Sequence, residues 1–194
     1  MNNYLSDDDE KGVLCMQEEL FEVLAAAGQK QELERVIACN EKTQRFGLAL
    51  TQDEARMLVQ CRQDALKKQR RVEFGEGILP QLIQAFCDSQ YIDRDNYADT
   101  LVQLQDIFYL YKNEAEDNLT DDELVEVMKE LYEEICFGSA EYLQETCLER
   151  FARAVRAGYR GYISSGGKGN YEAFSEEQRW DRDLYLQVLY EELS

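Results

Sequence analysis

Tyr97-Ala98-Asp99-Thr100-Leu101-Val102-Gln103-Leu104-Gln105-Asp106-Ile107-Phe108-Tyr109-Leu110-Tyr111 places large apolar side chains at Tyr97, Leu101, Leu104, Phe108 and Tyr111, stepping by four, three, four and three. That is the period of an α-helix, on which residues three and four apart share a face. Val102, Ile107 and Leu110 widen the apolar surface beyond one seam. A helix of this kind has to be covered from more than one side, so it is expected at the centre of the fold.

The same period recurs on both sides of it. Val13, Leu14, Leu20, Phe21 and Leu24 form a stripe for which Gly28 is a natural C-terminal stop, and Leu33, Val36 and Ile37 mark a second, shorter helix. Asn40 to Leu50 reads as a connection. Thr51-Gln52-Asp53-Glu54 then has the spacing of a capping box and opens a helix to about Lys68 along Ala55, Leu58, Val59, Ala65 and Leu66. Ile78, Leu79, Leu82, Ile83 and Phe86 predict a short helix that stops near Ser89. Thr120-Asp121-Asp122-Glu123 is a second capping box, leading into Leu124, Val125, Met128, Leu131, Tyr132 and Ile135. Gly138-Ser139 breaks the chain before a helix with Leu143, Cys147, Leu148, Phe151 and Val155 inward. No segment has the alternation of a strand, and no internal repeat is present. The expectation is all-α: a compact multi-helix domain over 1–157 around a long central helix, a glycine-rich linker over 158–174, and a terminal helix over 175–194 carrying Trp180, Leu184, Val188 and Leu189.

Composition excludes more than it identifies. There is no histidine among the 194 residues, which removes Ser-His and Cys-His nucleophiles, imidazole bases and the common zinc motifs. The six cysteines, Cys15, Cys39, Cys61, Cys87, Cys136 and Cys147, stand at least eleven residues apart and mostly among apolar neighbours, the pattern of reduced core thiols rather than of a C-x-x-C site. No catalytic residue, metal site or cofactor is expected. The net charge of −19 is unevenly spread: residues 88–134 hold 15 acids against 3 bases, whereas residues 30–71 hold 10 bases against 6 acids. An acidic total argues against direct nucleic-acid binding and against anionic membranes. The amino terminus lacks a basic and apolar leader pattern, so the expected location is cytoplasmic.

Phe74-Gly75-Glu76-Gly77 invites a phosphate-cradle reading, but Pro80 occupies the third glycine position of a dinucleotide fingerprint, and Glu73 and Glu76 would repel a phosphate. A tight reversal is the expectation, with Gly75 and Gly77 giving backbone freedom and Pro80 in the first turn of the next helix. Ser164-Ser165-Gly166-Gly167-Lys168-Gly169 fails the P-loop pattern, since Lys168 is followed by glycine. Calcium loops begun at Asp93 or Asp117 lack the glycine and the bidentate glutamate.

The segments Leu50-Thr51 to Val59, Val72-Glu73-Phe74-Gly75 to Phe86-Cys87-Asp88-Ser89, Ile107-Phe108-Tyr109 to Lys112-Asn113-Glu114 and Asp121-Asp122-Glu123-Leu124 resemble an uncharacterised family of Firmicutes proteins, a domain of unknown function. The resemblance spans roughly residues 48 to 156. It implies a small cytoplasmic bacterial protein and brings no activity or site residues with it.

Two cationic features stand out. Arg62 falls on the apolar line of its helix, so it must snorkel or find a carboxylate, with Glu73 or Glu114 as candidate partners. Arg150, Arg153, Arg156 and Arg160 line one side of the penultimate helix and suit an acidic face, of this fold or of a partner. The leading expectation is a non-enzymatic protein–protein interaction module that uses its acidic face or its terminal helix, with Trp180, to bind a protein partner or a second copy. A different class is a small-ligand protein or carboxylate-based enzyme with a site around Arg62, Glu73, Tyr109, Lys112 and Glu114. A third is an acidic mimic of DNA.

Overall fold

The structure, a computed structural model, describes residues 27–73 and 77–156. The expected first stripe from Val13 to Leu24, the linker over 158–174 and the terminal helix over 175–194 lie outside the described residues. Among the described residues there are helices and turns but no strand, and no helix is long and apolar enough to cross a membrane.

Helix α1 runs over 27–38. Gly28, expected to end a helix, sits inside this one. A glycine stop works through left-handed backbone, and the described glycines that adopt it are Gly47, Gly77 and Gly138. Asn40 to Leu50 is also more structured than a plain connection, containing α2 (Asn40–Thr43) and a 3-10 turn (Gln44–Phe46) that ends at Gly47 with φ 77°. Polar side chains fold it onto itself. Asn40 Nδ2 donates to the Leu50 carbonyl while Asn40 Oδ1 accepts from the Leu50 amide, both at 2.8 Å, and the buried Thr43 hydroxyl donates to the Leu48 carbonyl.

Helix α3 (Gln52–Lys68) begins at the expected capping box: the Glu54 amide donates to Thr51 Oγ1 at 3.2 Å and the Thr51 amide to Glu54 Oε2 at 2.7 Å. It ends where Arg70 turns left-handed, φ 54°. Helix α4 (Leu79–Phe86) carries Pro80 in its first turn, where a missing amide donor costs nothing. Helix α5 (Tyr97–Glu114) is the central helix. All five residues of its leading stripe are buried, Ile107 and Tyr109 are buried beside them, and an exposed line of Asp99, Gln103 and Asp106 marks its wet edge.

The side-chain ties between α3 and α5 fix their relative direction. At their N-terminal ends Arg94 grips Glu54; at their C-terminal ends Asn113 Nδ2 donates to the Gln69 carbonyl, and Arg71 donates to Asn113 and Asp117. The two helices run parallel. A parallel pair needs a return path, and the segment containing α4 provides it. Helix α6 (Asp121–Glu134) opens with the second capping box, Thr120 and Glu123, and packs on α4 and α5. Phe137 and Gly138, both left-handed, then reverse the chain; Ser139 caps α7 (Ala140–Tyr142), which continues through a π-helical turn (Leu143–Leu148) into α8 (Glu149–Arg156). Leu143, Cys147, Leu148, Phe151 and Val155 all face inward as their spacing predicts.

Candidate functional site

Arg62 lies in the second half of α3, and its side chain is only 12% exposed. The guanidinium does not snorkel. Its Nε donates to Glu73 Oε2 at 2.7 Å, Nη2 pairs with the same carboxylate, and Nη1 donates to Glu32 Oε2 at 3.0 Å. The Tyr109 hydroxyl donates to Glu73 Oε2 at 2.7 Å from α5. Three chain segments that are far apart in sequence thus meet on one arginine: α1 through Glu32, the exit from α3 through Glu73, and the central helix through Tyr109.

The glycine stretch explains itself here. Gly77 takes φ 76°, and a β-carbon built on it would lie 3.1 Å from Nε and Nη2 of Arg62. The backbone therefore passes directly over the guanidinium, and a side chain at this position would press on the buried pair. Gly77 has the left-handed backbone expected of it, Gly75 lies outside the described residues, and what the turn at Gly77 passes over is not legible in the sequence. It closes on an arginine that the protein supplies, not on a phosphate.

Electrostatically the cluster is overfilled with negative charge. Burial works against the Arg62 charge, but Glu73, Tyr109 and Glu32 outweigh it and hold the guanidinium above its ordinary pKa. Burial pushes the Glu32 carboxyl above its usual range, partly opposed by Arg62 and reinforced by Glu73. Its Oε1 lies 2.9 Å from Arg62 Nη1, yet outside hydrogen-bonding geometry. Tyr109 is pushed up by burial first and by the Glu73 charge second, so its phenol stays protonated and donates.

Glu32 was not among the sequence candidates, although a signal existed. It stands four residues before Val36 and seven before Cys39, both buried, so it occupies the apolar face of α1 as Arg62 occupies that of α3. The structure separates the remaining candidates. Glu114 does not reach Arg62; it accepts from Arg156 Nη1 at 2.8 Å on the far end of α5, where α8 crosses. Lys112 is buried and spends its ammonium on the Leu119 carbonyl and on Asp121 at 2.8 Å, closing the loop between α5 and α6. Within the arginine line, Arg153 pairs with Glu149 of its own helix at 2.6 Å, Arg156 docks on α5, and Arg150 is half-buried. Arg160 and Trp180 lie outside the described residues.

Among the described residues no group of three or more Cys, Asp or Glu side chains is placed to hold a metal ion. The Arg62 cluster is an internal junction: every donor of the guanidinium that the geometry resolves faces a carboxylate of the same chain. A ligand anion entering there would have to displace Glu32 or Glu73.

The acidic stretch behaves in the opposite way. Its three basic residues are all engaged within the fold: Arg94 with Glu54, Lys112 with Asp121, and Lys129 with Asp88 and Glu133. Asp93, Asp95, Asp99, Asp106, Asp122, Glu126 and Glu134 meanwhile stand exposed.

A family model described as a family of unknown function (DUF6323) matches residues 35–161, more than half of the chain. No curated protein and no solved structure matches it.

Proposed function

The chain belongs to this family of unknown function, and from that premise we propose that it is a non-enzymatic helical module that docks its acidic surface, built by the exposed edges of α5 and α6, on a basic protein surface. The observation that supports this reading is the division of labour among the charges. The cations of the stretch 88–134 are consumed in holding helices together, while Asp95, Asp99, Asp106 and Asp122 stand exposed beside them and leave the surface there predominantly negative. A surface of one sign steers a partner of the other and speeds encounter at low salt. The small-ligand reading is weakened by the same geometry, because Arg62, its natural anion-binding group, is already taken.

The test compares the intact protein with a variant in which Asp99, Asp106, Asp122 and Glu126 are replaced by Asn or Gln. Both are used as bait in source lysate over a range of salt concentrations. A basic partner retained by the wild type at low salt, released as salt rises and lost from the variant supports the proposal. Absence of any charge-dependent partner overturns it. If the retained partner is a DNA-binding protein that DNA competes away, the acidic surface works as a DNA mimic.

A further inference from the structure

Cys136 and Cys147 are eleven residues apart in sequence, in the pattern of reduced core thiols, and the fold brings them together. The Cys136 thiol donates to Cys147 Sγ at 3.5 Å. Both are free thiols and both are buried, Cys136 at 4% and Cys147 at 0% exposure. Both lie within or next to irregular backbone. Cys136 immediately precedes the left-handed pair Phe137 (φ 47°) and Gly138 (φ 83°), and Phe137 is 68% exposed. Cys147 sits in the π-helical turn Leu143–Leu148. Such turns are rare within helices and recur at functional sites, since the widened ladder re-aims a side chain. Two departures from regular backbone therefore converge on one sulfur–sulfur contact.

We propose that Cys136 and Cys147 form a reversible two-electron redox site that is oxidised by hydroperoxides to an intramolecular disulfide. The sulfurs have only roughly 1.5 Å to close before reaching bonding distance, near 2.05 Å in a disulfide. Their electrostatics divide the roles. Cys147 is the better thiolate, its pKa lowered by the hydrogen bond from Cys136 against the cost of burial, with Arg150 one turn further on assisting; Cys136 is raised by that same bond and by burial.

In the reaction the Cys147 thiolate attacks one oxygen of the peroxide. The O–O bond breaks, and hydroxide leaves and takes the Cys136 thiol proton to become water. The Cys136 thiolate then attacks the Cys147 sulfenic sulfur. The S–O bond breaks, and the departing hydroxide takes up the proton that Cys147 had released on ionising. Two thiols and one hydroperoxide give one disulfide and two waters when the oxidant is hydrogen peroxide; the two sulfurs lose the two electrons that the O–O bond gains. Because both sulfurs are buried, the reaction proceeds through local opening of the reversal at Phe137 and Gly138, which favours a small oxidant. Cys61, half-buried on α3, is the internal comparison: it is more accessible, and among the described residues no thiol is hydrogen-bonded to it, while burial and nearby Asp106 and Asp64 raise its pKa.

The experiment treats the reduced full-length protein with hydrogen peroxide under native conditions, blocks the remaining thiols in denaturant, and maps the modified peptides by mass spectrometry. The expected result is a Cys136–Cys147 bridge in each chain that dithiothreitol removes, formed while Cys39 and Cys87 remain alkylatable. In the Cys136→Ser variant, Cys147 should be trapped as its sulfenic or sulfinic acid, whereas in Cys147→Ser the thiol of Cys136 should persist. Should a variant not fold, the wild-type map decides alone. The proposal is overturned if both thiols remain alkylatable while Cys61 is oxidised, or if the bridge appears only when the protein is unfolded before peroxide is added.

Discussion

Two arginine–glutamate contacts hold the α3 side of this molecule, and they differ in nearly everything but chemistry. Arg62 meets Glu73 and Glu32 with each side chain 12% exposed; Arg94 meets Glu54 in a bidentate pair, 2.9 and 3.0 Å, with 44% and 26% exposed. The buried contact joins α1, the exit from α3 and α5, and a glycine is needed to make room for it. The exposed one lies across the open N-terminal ends of two parallel helices and shares its glutamate with a capping box. In low dielectric an ion must be fully matched or its partner becomes a liability, whereas in water the same pair is nearly expendable. Position therefore sets how much the fold depends on each pair.

The comparison predicts a graded set of effects. Arg62→Ala strands two carboxylates in the interior and should cost about 3–5 kcal/mol in chemical denaturation, the range found when one partner of a buried pair is removed. Replacing the charges together, Arg62→Met with Glu32→Gln and Glu73→Gln, should recover most of that loss. If Arg62→Ala alone proves silent, the junction is not what organises this region.

Gly77→Ala should come next, at about 1–3 kcal/mol, since it adds left-handed strain at φ 76° and pushes a methyl group against the guanidinium. Thermal unfolding checks the ranking. Thr51→Ala, at the exposed end, removes only a helix cap and should cost about 1 kcal/mol.

The smallest effects should separate the two glutamates by pH. The hydrogen bond from Arg94 lowers the Glu54 pKa to about 2. Its contribution is therefore fully present above the unfolded glutamate value of about 4.3 and is lost as pH falls through the folded value. Burial raises Glu32, so the sign reverses: the stability it lends is complete below about pH 4.3 and lost as pH rises through its raised folded pKa. Urea midpoints of Glu54→Gln and Glu32→Gln from acid to neutral pH should then diverge. Glu54→Gln should fall below the wild type at neutral pH and converge with it in acid, while Glu32→Gln, which resembles the protonated state, should match or exceed the wild type at neutral pH. Added salt should erase the Glu54→Gln difference first, because that pair is the exposed one.

Sequence periodicity alone determined the helices that make up most of the described fold. The stripe from Tyr97 to Tyr111, both capping boxes and the reversal at Gly77 are local features, since side-chain spacing and cap chemistry act within a few residues along the chain. Local signals also showed that Arg62 had either to snorkel or to find a carboxylate. They did not reveal Glu32 beside Glu73, the diversion of Glu114 to Arg156, the withdrawal of Lys112 into its own loop, or Cys136 against Cys147. Each of those is a contact across 7 to 42 residues whose geometry depends on how whole helices pack. A charge or a thiol shows its need in the sequence, because burial can be read from the face it occupies. Its partner is chosen only when the helices pack: α1 brings Glu32 and α5 brings Tyr109 to the Arg62–Glu73 pair, α8 brings Arg156 to Glu114, and the reversal after α6 brings Cys136 to Cys147.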